Sequence, residues 1–215
     1  MEVLLCAATR FEIEPIIKYI ESQKIENVSI LVTGVGLTAA TFQLTKSICK
    51  KRPQLMIQAG IAGAIDQNLE LGSVVLVESE SIGDLGVMEQ EKFNSVFDMN
   101  LIQKNDHPWK NGKLVNDWGI LDQLMLPKVQ SVSINEITTM PSRLDYYKNM
   151  LSASIESMEG AAFHYVGLLE NIPFLQVRSL SNFAGERDKN KWVIKDSIEN
   201  LNKELIPIIT KFVSL

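Results

Sequence analysis

The stretch Ser154-Ile155-Glu156-Ser157-Met158-Glu159-Gly160-Ala161-Ala162 sets two carboxylates at the seam between a strand and a helix. Ser154 to Ser157 reads as a short strand. Gly160 to Glu170 carries apolar residues at helical spacing, namely Ala161, Ala162, Tyr165, Val166, Leu168 and Leu169. In open α/β sheets ligands bind at the carboxyl ends of strands, so an acid at such an end is placed to meet a substrate hydroxyl. Glu159 also fits a plainer role, as a first-turn acid favoured by the helix dipole.

Working outward, strands and helices alternate. Glu2 to Ala8 reads as a buried strand and Phe11 to Ser22 as a helix, with Phe11, Ile16, Ile17 and Ile20 inward and Pro15 in its first turn. Glu12 then falls at a second strand-to-helix transition. Val28 to Thr33 leads through Gly34-Val35-Gly36 into a helix over 37–51. That turn can present backbone amides to an anion, but it lacks the third glycine and the later acid of a dinucleotide fingerprint. Leu55 to Gln58 is a third strand, running into the small residues Ala59-Gly60-Ile61-Ala62-Gly63-Ala64, where either a ligand or another element can approach the backbone. Ser73 to Glu78, Val129 to Ile134 and Pro173 to Arg178 complete the strands, with a helix over 143–151 and an amphipathic helix closing the chain. Asn182 lies at the end of the last strand, ahead of the charged run Gly185-Glu186-Arg187-Asp188-Lys189. Residues 79–126 lack periodicity and read as a long loop whose aromatics either close over a ligand or pack a satellite cluster.

Composition narrows the classes. The chain has 215 residues, 46% hydrophobic and 22% charged, which fits one globular domain. Its formal net charge of -5 and the lack of a basic run argue against a nucleic-acid partner. Cys6 and Cys49 read as small core residues in a reducing compartment, and His107 and His164 stand without ligand partners at metal spacing, so neither metal nor cofactor is expected. No export signal and no segment long enough to span a bilayer is expected, which points to the cytoplasm.

Five segments, namely Glu12, Gly34-Val35-Gly36, Ala59 to Gly63, Glu156 to Ala162 and Arg178-Ser179-Leu180-Ser181-Asn182, occur in the order seen in the nucleoside phosphorylase and nucleosidase superfamily, which this chain resembles over nearly its whole length. Within it, Ser181-Asn182 followed by Gly185 to Lys189 and Trp192 is most similar to the futalosine hydrolase family. The resemblance implies a single α/β domain with a central, mixed, partly closed β-sheet flanked by helices. It implies hydrolysis of the N-glycosidic bond of futalosine, releasing hypoxanthine in an alternative route to menaquinone, by a homodimer or larger homo-oligomer.

On the same resemblance Glu12 matches the acid that activates water. Glu159 matches the acceptor of ribose hydroxyls with Met158 beside the sugar, Gly60 and Ile61 belong to the substrate site, and Ser181 orients Asn182. Related methylthioadenosine and S-adenosylhomocysteine nucleosidases carry aspartate at Asn182; an amide can donate to a 6-oxo group and accept from a protonated N7, which suits hypoxanthine. Gln58 stands where related phosphorylases carry arginine, which favours water over phosphate, although Arg10 lies near Glu12 and could serve a phosphate. Arg187 or Lys189 is the candidate cation for the substrate's carboxylate, and Phe11 and Phe183 are candidate packing residues. The competing readings are an adenine-releasing nucleosidase, a phosphorylase and a binding module without turnover.

Overall fold

The computed structural model describes residues 1–90 and 92–214. In chain order its elements are β1 (Val3–Ala7), α1 (Arg10–Ser22), β2 (Val28–Val32), α2 (Leu37–Lys50), β3 (Leu55–Ala64), β4 (Val74–Ile82), β5 (Gly86–Glu89), β6 (Lys92–Ser95), β7 (Leu114–Val115), β8 (Lys128–Ser133), α3 (Pro141–Asn149), β9 (Ile155–Ser157), α4 (Gly160–Leu169), β10 (Phe174–Phe183) and α5 (Ile194–Val213).

The sheet is mixed and closes on itself in part. β3 pairs parallel with β10 and antiparallel with β9. β10 runs antiparallel to β4, and β4, β8 and β9 follow in parallel, so five strands form a ring. β1 and β2 extend it as a parallel wing from β3. β1 reads as an unbroken apolar run because it is buried on both faces. Helices cover both sides of the wing. α1 and α5 pack Ile13, Ile16, Ile17 and Ile20 against Leu201, Leu205, Ile208 and Phe212, while α2 and α4 pack Ala40, Leu44 and Ile48 with Ala162, Phe163 and Val166.

Four local expectations change. The third strand does not stop at Gln58: β3 runs unbroken to Ala64, because paired strands on both sides continue its ladder. Phe11 points outward and is 69% exposed, since the helix begins one residue earlier and turns Ile13, Ile16 and Ile17 to the core. That start also puts Pro15 beyond the first turn. There Asn202 of α5 brackets the chain, its Oδ1 accepting from Ile16 N at 2.9 Å and its Nδ2 donating to Glu12 O at 2.9 Å. Cys6 is buried as expected, whereas Cys49 is exposed.

The stretch 79–126 is only partly loop. It finishes β4, forms the β5–β6 hairpin and adds β7 to β4. Its aromatics build a satellite cluster: Phe97 meets Trp109 edge-on at 5.1 Å, and Trp109 and Leu114 pack with Ala161 of α4.

Candidate active site

A cavity of about 370 Å³ opens where the ends of β1, β3, β9 and β10 converge, and Glu12, Ile61, Met158, Glu159, Glu156, Ser181, Asn182 and Arg187 line it. This volume lies in the range of small-molecule pockets.

Glu12 is locked by short-range geometry. Its Oε2 accepts from Thr9 N at 3.0 Å and Thr9 Oγ1 at 2.8 Å, the N3 acid reaching back to the residue that precedes the helix. Its Oε1 accepts from Ile61 N at 3.1 Å and keeps acceptor capacity. Ile61 therefore contributes a backbone donor. Gly60 does not line the cavity; it lies opposite Arg178 in the β3–β10 ladder, and its missing side chain leaves room for that guanidinium and for Glu12.

Glu159 sits immediately before α4 and is 4% exposed. Its Oε1 accepts from Gly36 N at 3.0 Å. The Gly34-Val35-Gly36 turn, with positive φ at both glycines, thus does hold an anion, namely this carboxylate. Burial pushes the Glu159 carboxyl above its ordinary value, while Arg178 and the Gly36 amide pull it back.

Arg178 was hidden in the sequence as one residue of a buried strand. It is 1% exposed, donates from Nη2 to Gln58 Oε1 at 3.1 Å, and stands 3.8 Å from Glu159 Oε2. An arginine inside an apolar strand was the available signal, since a buried charge needs a partner. Gln58 is thereby committed to Arg178. Arg10 turns away from the site to Glu14 at 2.6 Å.

At the other end, the β10 register slips between Leu180 and Asn182, a bulge that re-aims the strand end. Ser181 Oγ donates to Asn182 Oδ1 at 2.7 Å, and Asn182 Nδ2 donates to Phe183 O at 2.9 Å, which fixes the amide's orientation and leaves one N–H free. Arg187 lines this end and lies over Trp192, 5.6 Å from the ring centre. Lys189 is exposed and does not line the cavity, and Phe183 packs against the cluster around Ala62 and Leu180. Among the described residues there is no cluster of three or more metal-ligating side chains.

No family model matches the chain. It is 27% identical over 184 residues to the futalosine hydrolase of Thermus thermophilus, covering 80% of this chain and 76% of that protein. It is 24% identical to a 5′-methylthioadenosine/S-adenosylhomocysteine nucleosidase of Maridesulfovibrio salexigens, covering 93% of each. A mutant of the Helicobacter pylori nucleosidase of that type, solved with 5′-methylthioadenosine in its active site, superposes with a TM-score of 0.80 at 16% identity over 98% of both chains. The fold is that of the purine nucleosidases. The chain resembles futalosine hydrolase in sequence, and these two relatives are N-glycosyl hydrolases; a DeoD-type purine nucleoside phosphorylase of Streptococcus uberis is also similar, at 24% identity over 80% of this chain and 69% of that protein. No described helix is long and apolar enough to cross a membrane.

Proposed function

We propose that the protein hydrolyses the N-glycosidic bond of a 6-oxopurine nucleoside, futalosine being the substrate that its sequence resemblance favours. The carrying observation is that two buried carboxylates, Glu12 and Glu159, line one cavity whose far end is an oriented amide, Asn182. Bond cleavage builds positive charge on the ribose and negative charge on the departing base, so acids at one end and hydrogen-bonding groups at the other match the transition state. Glu12 takes the proton of the attacking water through Oε1. Glu159 accepts from the ribose hydroxyls beside Met158, and Asn182 donates to O6 and accepts from a protonated N7.

Water is favoured over phosphate as nucleophile because Arg178 is buried and engaged, which leaves Arg187, at the base end, as the lysine or arginine lining the cavity. Arg187, expected to meet the substrate's carboxylate, lies beside Glu156 and Asn182 at the base end, whereas that carboxylate is on the 5′ side of the sugar, so we do not assign Arg187 that role. Exposed Phe11 and Val35 form an apolar rim suited to a second subunit, which supports a homodimer or larger homo-oligomer. An adenine-releasing nucleosidase is the second reading, supported by the 93% coverage of the Maridesulfovibrio relative.

The test is chromatographic measurement of free base released from futalosine, aminodeoxyfutalosine, methylthioadenosine and inosine, each with and without phosphate. Hypoxanthine from futalosine irrespective of phosphate is the expected result. Adenine release selects the second reading, phosphate dependence a phosphorylase, and no release from any substrate a binding module.

A further inference from the structure

One carboxyl in the cavity has no task in the reaction as described. Glu156, on β9, is 7% exposed, and its Oε2 has no hydrogen-bond partner among the described residues. Its Oε1 lies 3.3 Å, and Asn182 Nδ2 3.5 Å, from the point a Cβ on Gly63 would occupy. The two polar groups therefore flank one glycine in the same cavity, at the end where the base would leave.

The reaction needs a proton at that end. The departing purine carries the electron pair of the broken bond, and an amide cannot protonate it. We propose that Glu156 is the general acid, entering the cycle as a neutral carboxyl and donating its proton to N7 of the departing purine, where Asn182 Oδ1 then holds the new N–H. As C1′–N9 breaks, its electron pair passes to the purine and N7 takes the proton from Glu156. The water oxygen bonds C1′ while Glu12 takes a water proton. Solvent then returns a proton to Glu156 and removes one from Glu12, so one water is consumed for each base released.

The surroundings suit a carboxyl that keeps its proton. Its ladder partners, Gly63 of β3 and Val132 of β8, bring no charge. Facing titratable groups are Arg187 and Glu186 from the segment after β10, Tyr147 from α3, Glu159 from the turn before α4 and Glu12 from α1. Burial pushes the Glu156 carboxyl up to about 7, and Arg187 pulls the other way.

The inference rests on the nucleosidase reading, and the two fail differently. The experiment records kcat from pH 5 to 9 on the purine nucleoside that the wild type cleaves best and on 4-nitrophenyl riboside, whose phenolate leaves without protonation. With the purine substrate, wild type should lose activity as pH rises through about 7. Glu156→Gln should lower purine kcat about 10²–10⁴-fold, abolish that limb, and lose at least about tenfold less on the nitrophenyl substrate. Glu156→Asp should restore part of the rate together with the limb. Purine kcat within about twofold of wild type in Glu156→Gln, or equal loss on both substrates, overturns the assignment. Should Glu156→Gln not fold, the wild-type profiles decide: a limb with purine alone supports the assignment, and the same limb with both substrates overturns it. Failure of the wild type to release base from any nucleoside overturns the nucleosidase reading itself.

Discussion

Gly60→Ala is the sharpest test of how the site is held together. A methyl group at this position would stand 2.9 Å from Glu12 Oε1 and closer still to Arg178 Nη1, with Arg178 Cζ at 3.5 Å. Both atoms end flexible side chains, yet neither side chain is free to yield. Arg178 is tied to Gln58 at 3.1 Å and to Ile61 O and Ser157 Oγ at 3.4 Å, and Glu12 to Ile61 N and Thr9. Overpacking of this kind costs about 1–3 kcal/mol, against which alanine regains about 0.4–1 kcal/mol through the unfolded chain. A net loss of about 1–2 kcal/mol in urea denaturation is expected. Activity should suffer more, because either response moves a carboxylate or its supporting cation. A displacement near 1 Å costs on the order of 10²-fold in kcat. Base release at saturating substrate, well below the melting temperature, reads this separately from stability. Wild-type kcat with an unchanged urea midpoint would show that the Glu12–Gly60–Arg178 packing does not set the geometry of catalysis.

Glu12→Gln should lower kcat about 10²–10⁴-fold with modest change in binding, while Glu159→Gln should also raise KM for the nucleoside; wild-type rates in both would sink the proposed chemistry. Asn182→Asp should move the kcat/KM ratio toward 6-aminopurine nucleosides, and an unchanged ratio would remove Asn182 from base selection. Asn202→Leu should cost about 1–3 kcal/mol in urea denaturation by orphaning Ile16 N–H and Glu12 C=O, and a neutral result would mean that α1 supplies its own partners there. Burial raises Glu80 from 4.5 to about 7, so between those values the folded protein holds a proton that the unfolded chain has lost. Stability is then greatest below the unfolded value, falls as pH rises through this window, and levels above it, by on the order of 3 kcal/mol. Glu80→Gln should remove that decline, so the stability gap between variant and wild type, measured at pH 5 and pH 8, should move in the variant's favour as pH rises; a constant gap would refute the assignment.

The elements with strong periodicity were legible from sequence. The helix over 37–51, the strand Val28 to Thr33 and the seam at Glu156 to Ala162 lie within a few residues of α2, β2 and β9–α4. That Glu12 and Glu159 fall at helix starts was legible too, since an acid after a strand is a local signal, and both line the candidate site. What stayed hidden depends on contacts between distant segments. The extension of β3 through Gly60 and Gly63 needs β9 and β10 beside it, and small residues alone carry no strand signal past Gln58. Arg178 needs Gln58, Ser157 and Glu159, which lie on three other segments. Glu156 was visible as a residue at the seam, but its nearness to Asn182 across Gly63 is set by the closure of the ring.

That closure also explains how two carboxylates can share so small a site. Burial first, and Glu12 to a smaller degree, raise the cost of ionising Glu159, and Arg178 works against both from behind, with its guanidinium buried beneath Gly60. Arg178 thus supports the anion without lining the cavity. Two acids against one cation leave the Glu12–Glu159 end of the cavity with a net negative field, the end proposed to hold the ribose. A unit charge about 4 Å away at an effective dielectric near 20 is worth roughly 4 kcal/mol, and charge forming on C1′ would relieve the repulsion between the acids as well. Both effects are larger in the transition state than in the ground state, which is the condition for them to speed the reaction. A phosphate dianion entering the same end would add to the repulsion that the ribosyl cation relieves, whereas a neutral water would not. The placement of Arg178 behind the acids therefore bears on the choice of nucleophile as directly as Gln58 does.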